Sequence, residues 1–87
     1  MDLLSITKDF ICFENDNLYA VRKDQIDKQT IYLDCHDNKL NSLPELPENL
    51  VILYCYYNML KYLPDLPDHL VYLYCYHNKN RNFTRLT

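Results

Sequence analysis

Apolar residues in the last two thirds of this chain recur with a period of twenty. Within each period they first alternate with variable residues and then fall three apart. Leu33, Cys35, Asn38, Leu40 and Leu43 are followed by Leu53, Cys55, Asn58, Leu60 and Leu63, then by Leu73, Cys75 and Asn78, with Phe83 and Leu86 closing the series. Self-similarity at a fixed spacing marks a repeat architecture, and it divides the chain into units 30–49, 50–69 and 70–87 after a differently patterned stretch, 1–29.

The opening of each unit reads as a strand. Leu50-Val51-Ile52-Leu53-Tyr54-Cys55-Tyr56 alternates and is rich in Tyr, Val, Ile and Leu, which suits a pleated segment with one buried face. Leu53 and Cys55 then share a face with the core, and Tyr54 and Tyr56 share the opposite one. Strands separated by long returns cannot be hairpins, so they are expected to lie parallel as successive coils of a solenoid. The returns are too short for a helix of ordinary length. Pro44 and Pro47, like Pro64 and Pro67, fix φ and remove amide donors, which favours an extended, polyproline-like path. Where the chain leaves each strand, an inward asparagine can satisfy buried backbone groups from one coil to the next, so Asn15, Asn38, Asn58 and Asn78 are expected to form a ladder.

The first thirty residues admit two readings. Phe10-Ile11-Cys12-Phe13-Glu14-Asn15 resembles a degenerate unit, with Cys12 in the phase of Cys35, 23 residues earlier; Ile11 and Phe13, with Asp9, would then face outward. The alternative is a β-hairpin turning at Glu14 to Asn17. Either serves as the cap that an end coil requires, with Met1 to Thr7 folding over it.

Composition changes this picture in three ways. Glycine is absent, so positive φ falls to Asn and Asp, with Asn41, Asn49 and Asp68 as candidates. The net charge of −3 and the lack of a basic run disfavour nucleic acid and anionic membranes as partners. No apolar stretch approaches the roughly 18 residues of a membrane span, and the start has no secretory pattern, so a soluble, cytoplasmic protein is expected, in its own cell or a host's. Three of the four cysteines hold a core phase, which reads as buried thiols in a reducing compartment and not as a disulfide framework.

Leu50-x-x-Leu53-x-Cys55-x-x-Asn58-x-Leu60-x-x-Leu63-Pro64-x-Leu66-Pro67 resembles the short leucine-rich repeat of bacterial effectors, which carries Leu-Pro-x-Leu-Pro in every unit. It is also similar to the tyrosine- and cysteine-rich version found in giant viruses of amoebae. The resemblance covers residues 30–87. It implies a leucine-rich repeat solenoid with a short parallel sheet on a concave face, an extended convex side and little helix. It further implies a protein-binding role, since members of the family mostly act as protein-binding surfaces; the ubiquitin ligase domain that often follows effector repeats has no counterpart in this sequence.

With Leu50, Leu53, Cys55, Asn58, Leu60, Leu63 and Leu66 assigned inward, the outward positions are Tyr32, Asp34 and His36; Ile52, Tyr54 and Tyr56; and Tyr72, Tyr74 and Tyr76. Like phases on adjacent strands stack about 4.8 Å apart, so Tyr54 should lie beside Tyr74 and Tyr56 beside Tyr76. Such a patch suits recognition, because tyrosine offers large contact area at low entropic cost. Mutual protection of the sheet by its rings is the plainer alternative.

At the C-terminal end, Leu70, Leu73, Cys75, Phe83 and Leu86 have no following unit to cover them. A homodimer meeting through that open coil is expected, unless Lys79, Arg81, Asn82 and Arg85 make the end polar enough to stand alone. Cys35-His36 and Cys75-Tyr76-His77 hold metal-type ligands, but adjacent strand residues point to opposite faces, so neither metal binding nor a Cys-His nucleophile is expected. Glu45, Glu48, Asp65 and Asp68 form an acidic stripe along the proline segments. The balance favours a non-enzymatic interaction module without a cofactor. A purely structural protein whose partner is itself, or an effector-like host-interaction factor, stands as the alternative.

Overall fold

The computed structural model describes residues 10–13 and 19–80. Four three-residue strands, β1 (Phe10–Cys12), β2 (Tyr32–Asp34), β3 (Ile52–Tyr54) and β4 (Tyr72–Tyr74), pair in sequential order β1-β2-β3-β4. All three pairings are parallel. From β2 onward the register is the sequence period itself, with Leu33 beside Leu53 and Leu53 beside Leu73. The ladder continues past the strands on both sides: Val51 N–H donates to Ile31 O at 2.8 Å, Cys35 N–H to Tyr54 O at 2.8 Å, and Met59 N–H to Leu40 O at 2.8 Å. The only helix among the described residues is one 3-10 turn, Lys23–Gln25.

The core follows the repeat. Leu33, Leu53 and Leu73, Cys35, Cys55 and Cys75, and Leu40 and Leu60 are all sealed from solvent. Thr30 takes the buried phase that Leu50 fills one unit later. Leu43 and Leu63, half-buried, pack against this core from the connecting segments.

The hairpin turn expected at Glu14 to Asn17 lies outside the described residues, and β1 runs parallel to β2 and so extends the sheet of the later units. Its register differs from the expected one by a residue. Ile11 lies beside Leu33 and Cys12 beside Asp34, so Ile11 and Phe13 pack on the core while Cys12 is exposed. A slip of one residue turns every side chain of a strand to the other face. Burying Ile and Phe removes more apolar surface than burying a thiol, which selects this register. Asp9, Asn15 and the segment Met1 to Thr7 lie outside the described residues.

The offset between first and second units also changes along the chain. Ala20 bridges Ser42, an offset of 22, whereas the Thr30 N–H to Asp27 O bond of 2.9 Å matches Leu50 N–H to Pro47 O at 3.2 Å, an offset of 20. The 3-10 turn lies between these points and takes up the two extra residues. It stands where the later units have their proline segment.

Positive φ does not occur at Asn41, Asn49 or Asp68, as composition suggested. It occurs at Asp37 (58°), Lys39 (68°), Tyr57 (56°) and His77 (57°). The loops containing Asn49 and Asp68 close instead with i to i+3 bonds, Leu50 N–H to Pro47 O and Leu70 N–H to Pro67 O, both 3.2 Å, and turns of that kind need no left-handed residue. Leu66 is a second correction. It is 36% exposed, against 8% for Leu46 in the same phase, which belongs to the core cluster.

Candidate functional site: the aromatic face of the sheet

The asparagine column sets the geometry of the face. Asn58 Oδ1 accepts from the N–H groups of Asn38 (2.9 Å) and Leu40 (3.0 Å), while its Nδ2 donates to the carbonyls of Cys35 and Cys55, each at 3.0 Å. Asn78 repeats the pattern with Leu60, Cys55 and Cys75, at 2.9, 3.1 and 2.8 Å. Asn38 donates to Cys35 O at 3.0 Å and also to Phe13 O, which ties the first unit to the second. Every buried side-chain nitrogen and oxygen among the described residues has a partner. One side chain thus satisfies backbone groups of two units, and the residue before it is held left-handed. For Tyr57 this conformation costs about 1 kcal/mol, because its Cβ crowds the backbone. Ladder bonds compensate, since Asp37 N–H reaches Tyr56 O and Tyr57 N–H reaches Tyr76 O, both at 3.1 Å.

Outside this frame, rings stack across the strands. His36 lies on Tyr56 with centroids 4.6 Å apart and planes at 12°, and Tyr56 lies on Tyr76 at 4.9 Å and 12°. Tyr54 and Tyr74 are 4.8 Å apart, and Tyr32 meets Tyr54 edge-on at 5.3 Å. A third column, Tyr57 on His77 at 4.5 Å and 1°, stands beside the second. Contacts of 6.0 Å between Tyr54 and Tyr56 and 5.8 Å between Tyr56 and Tyr57 join the columns into one surface. Rings inside a column cover each other's faces, so the surface shows ring edges and phenol tips.

The sequence reading found the first two columns and missed the third. Tyr57 and His77 follow an outward residue and by alternation should turn away. Their left-handed backbone returns them to the face, and the one available signal was the repeated aromatic phase 57/77 beside the asparagine. Ile52 is half-buried at the margin, and Tyr72 is exposed there. Asp34 belongs to the face by position but is folded away, 9% exposed, with Oδ1 accepting from His36 N–H at 3.2 Å and lying 2.5 Å from His36 Nδ1. That pairing orients the imidazole against Tyr56 and withdraws the Asp34 carboxylate, whereas Asp37, in the left-handed phase of Tyr57 and His77, is exposed.

Burial, then hydrogen bonding with Tyr54, pushes the Tyr32 phenol up to about 12, so it stays protonated. Desolvation likewise raises the Cys35 thiol to about 12 and drives Cys55 and Cys75 upward. These thiols are hydrogen-bonding core groups and poor nucleophiles. Cys35 Sγ, for instance, donates to Tyr54 O at 3.4 Å. Cysteines form no disulfide, and no group of three or more His, Cys, Asp or Glu among the described residues is placed to hold a metal.

At the expected self-association end, Leu73 and Cys75 are each 1% exposed within one chain, so neither offers contact area to a second copy. Leu70 is half-buried, and Phe83 and Leu86 lie outside the described residues. No family model, curated protein or solved structure matches this chain. Among the described residues, no helix is long and apolar enough to cross a membrane.

Proposed function

We propose that this chain is a leucine-rich-repeat solenoid that works as a non-enzymatic, cytoplasmic protein-interaction module, with the aromatic face of its sheet as the recognition surface. One observation carries the reading: eight rings, Tyr32, His36, Tyr54, Tyr56, Tyr57, Tyr74, Tyr76 and His77, make one continuous surface held by the asparagine column. Rings that only shielded the sheet would gain by burying their outer members, yet Tyr57 and Tyr76 remain 52% and 43% exposed. Aromatic groups of that kind, amphipathic and already ordered, lose little entropy on binding.

Changing Tyr54, Tyr56 and Tyr74 together to Ser is expected to abolish capture of a cytosolic protein by the purified chain, with the circular dichroism spectrum unchanged. Capture that survives in a folded triple variant would end the proposal. Loss of oligomer in place of partner would assign the face to self-assembly, the reading in which the chain's main partner is another copy of itself.

A further inference from the structure

Taking the aromatic face as a protein-binding surface, we propose that one of its partners is the proline side of a second copy of this chain, giving head-to-tail association. The two surfaces have complementary chemistry. Between the segments Leu43–Pro47 and Leu63–Pro67 lies a groove of about 610 Å³, walled by Glu45, Glu48, Asp65 and Asp68 and floored in part by Leu66 and Pro64. Leu66 holds a core phase yet is 36% exposed, so an apolar contact is left incomplete in that groove. Its polar lining is four acceptor-only carboxylates together with His69. The aromatic face is the converse. Its exposed phenols Tyr57, Tyr72 and Tyr76 each carry an O–H donor, and of its two carboxylates Asp34 is withdrawn against His36 while Asp37 is exposed. Lys39 and Lys79 follow Asp37 and His77 by two residues and are exposed.

A phenol donating to a carboxylate is among the stronger uncharged-to-charged hydrogen bonds, and ring edges pack well on proline and leucine. Ring faces between His36, Tyr56 and Tyr76 are covered by their stacked neighbours, which confines face stacking by sugars or bases to the column ends. The groove and the face lie on opposite sides of the core, because the groove belongs to the connections and the face to the strands. A single copy therefore cannot close the contact on itself. Association of this kind is heterologous and does not terminate at two copies.

Mixing experiments test this on the whole chain. The unmodified protein should show a sedimentation profile that keeps growing with concentration and weakens with added salt. Tyr57→Ser with Tyr76→Ser removes one surface, and Asp65→Lys with Asp68→Lys removes the other. Each double variant alone should be monomeric, and an equal mixture should form a dimer and nothing larger, because each partner retains the surface the other lacks. The lysine variant changes exposed loop residues only, so it keeps the test valid if the serine variant is poorly folded. A wild-type chain that stays monomeric, a closed dimer that survives both pairs of changes, or variants that fail to complement would overturn the inference. Any of these could coexist with capture of a different protein by the face, which the Tyr54, Tyr56 and Tyr74 variant reports separately.

Discussion

The stretch 10–29 and the unit 50–69 solve one packing problem with different means. In the unit 50–69, Leu53 and Cys55 fill the interior completely, Asn58 bonds the backbone of its own unit and of the one before it, and a Leu-Pro-x-Leu-Pro segment carries the chain back along an extended path. In the first, Ile11 and Phe13 take those interior places half-buried, and a 3-10 turn with Gln25 N–H donating to Arg22 O at 3.0 Å absorbs two additional residues. The period of twenty is therefore a property of the connection, and strand pairing tolerates 22 as long as the connection can wind up the excess. What it does not tolerate is a one-residue slip, which would exchange the two faces of β1.

The largest expected contrast between these units is in the interior. Leu53→Ala should cost about 2 to 5 kcal/mol, because the site is closed on every side, whereas Ile11→Ala should cost about half that or less. Urea unfolding of the two variants checks this, and equal losses would mean that β1 is packed as tightly as β3. Next in size is the asparagine column. Asn58→Ala should cost about 1 to 3 kcal/mol by stranding the Asn38 and Leu40 amides, and Asn78→Ala, at a more exposed position, should cost less. Amide hydrogen exchange at Leu40 should accelerate in the first variant and not in the second.

A smaller effect is expected at alkaline pH. Desolvation raises the Cys35 pKa from 9.0 to about 12, so the folded state holds a proton that the unfolded state gives up. The stabilisation from this is present below about pH 9 and is lost as pH climbs toward 12. The urea midpoint should fall between about pH 8 and about pH 10, and Cys35→Ala should flatten that slope, whatever it does to the midpoint itself. Least of all should come from the Lys23 to Glu45 ion pair, which links the 3-10 turn to the next proline segment at 2.5 Å between two exposed side chains. Solvent screening and side-chain entropy cancel most of its attraction, so Lys23→Ala should leave the melting curve unchanged. A clear loss would show that the turn depends on its neighbour.

Much of the site was legible in the sequence. Strand alternation placed Leu53 and Cys55 in and Tyr54 and Tyr56 out, and the shared phase put Tyr54 beside Tyr74 and Tyr56 beside Tyr76, as their 4.8 and 4.9 Å separations show. The function of Asn58 followed from backbone accounting, since a buried turn must find donors and acceptors somewhere. The register of β1 was not legible, because Phe10-Ile11-Cys12-Phe13 offers apolar residues in both alternations and only competition for the core chooses between them. Tyr57 and His77 were missed for a different reason. Their direction depends on a backbone conformation that tyrosine does not favour and that neighbouring units impose.

The period, the strand faces, the asparagine column and the extended connections were determined by residue order alone, because each rests on local chemistry repeated at one spacing. The slip in β1, the left-handed turns, the exposure of Leu66 and the withdrawal of Asp34 were decided by tertiary structure. In each of these, two local arrangements are close in free energy, and contacts with residues roughly twenty positions away select one.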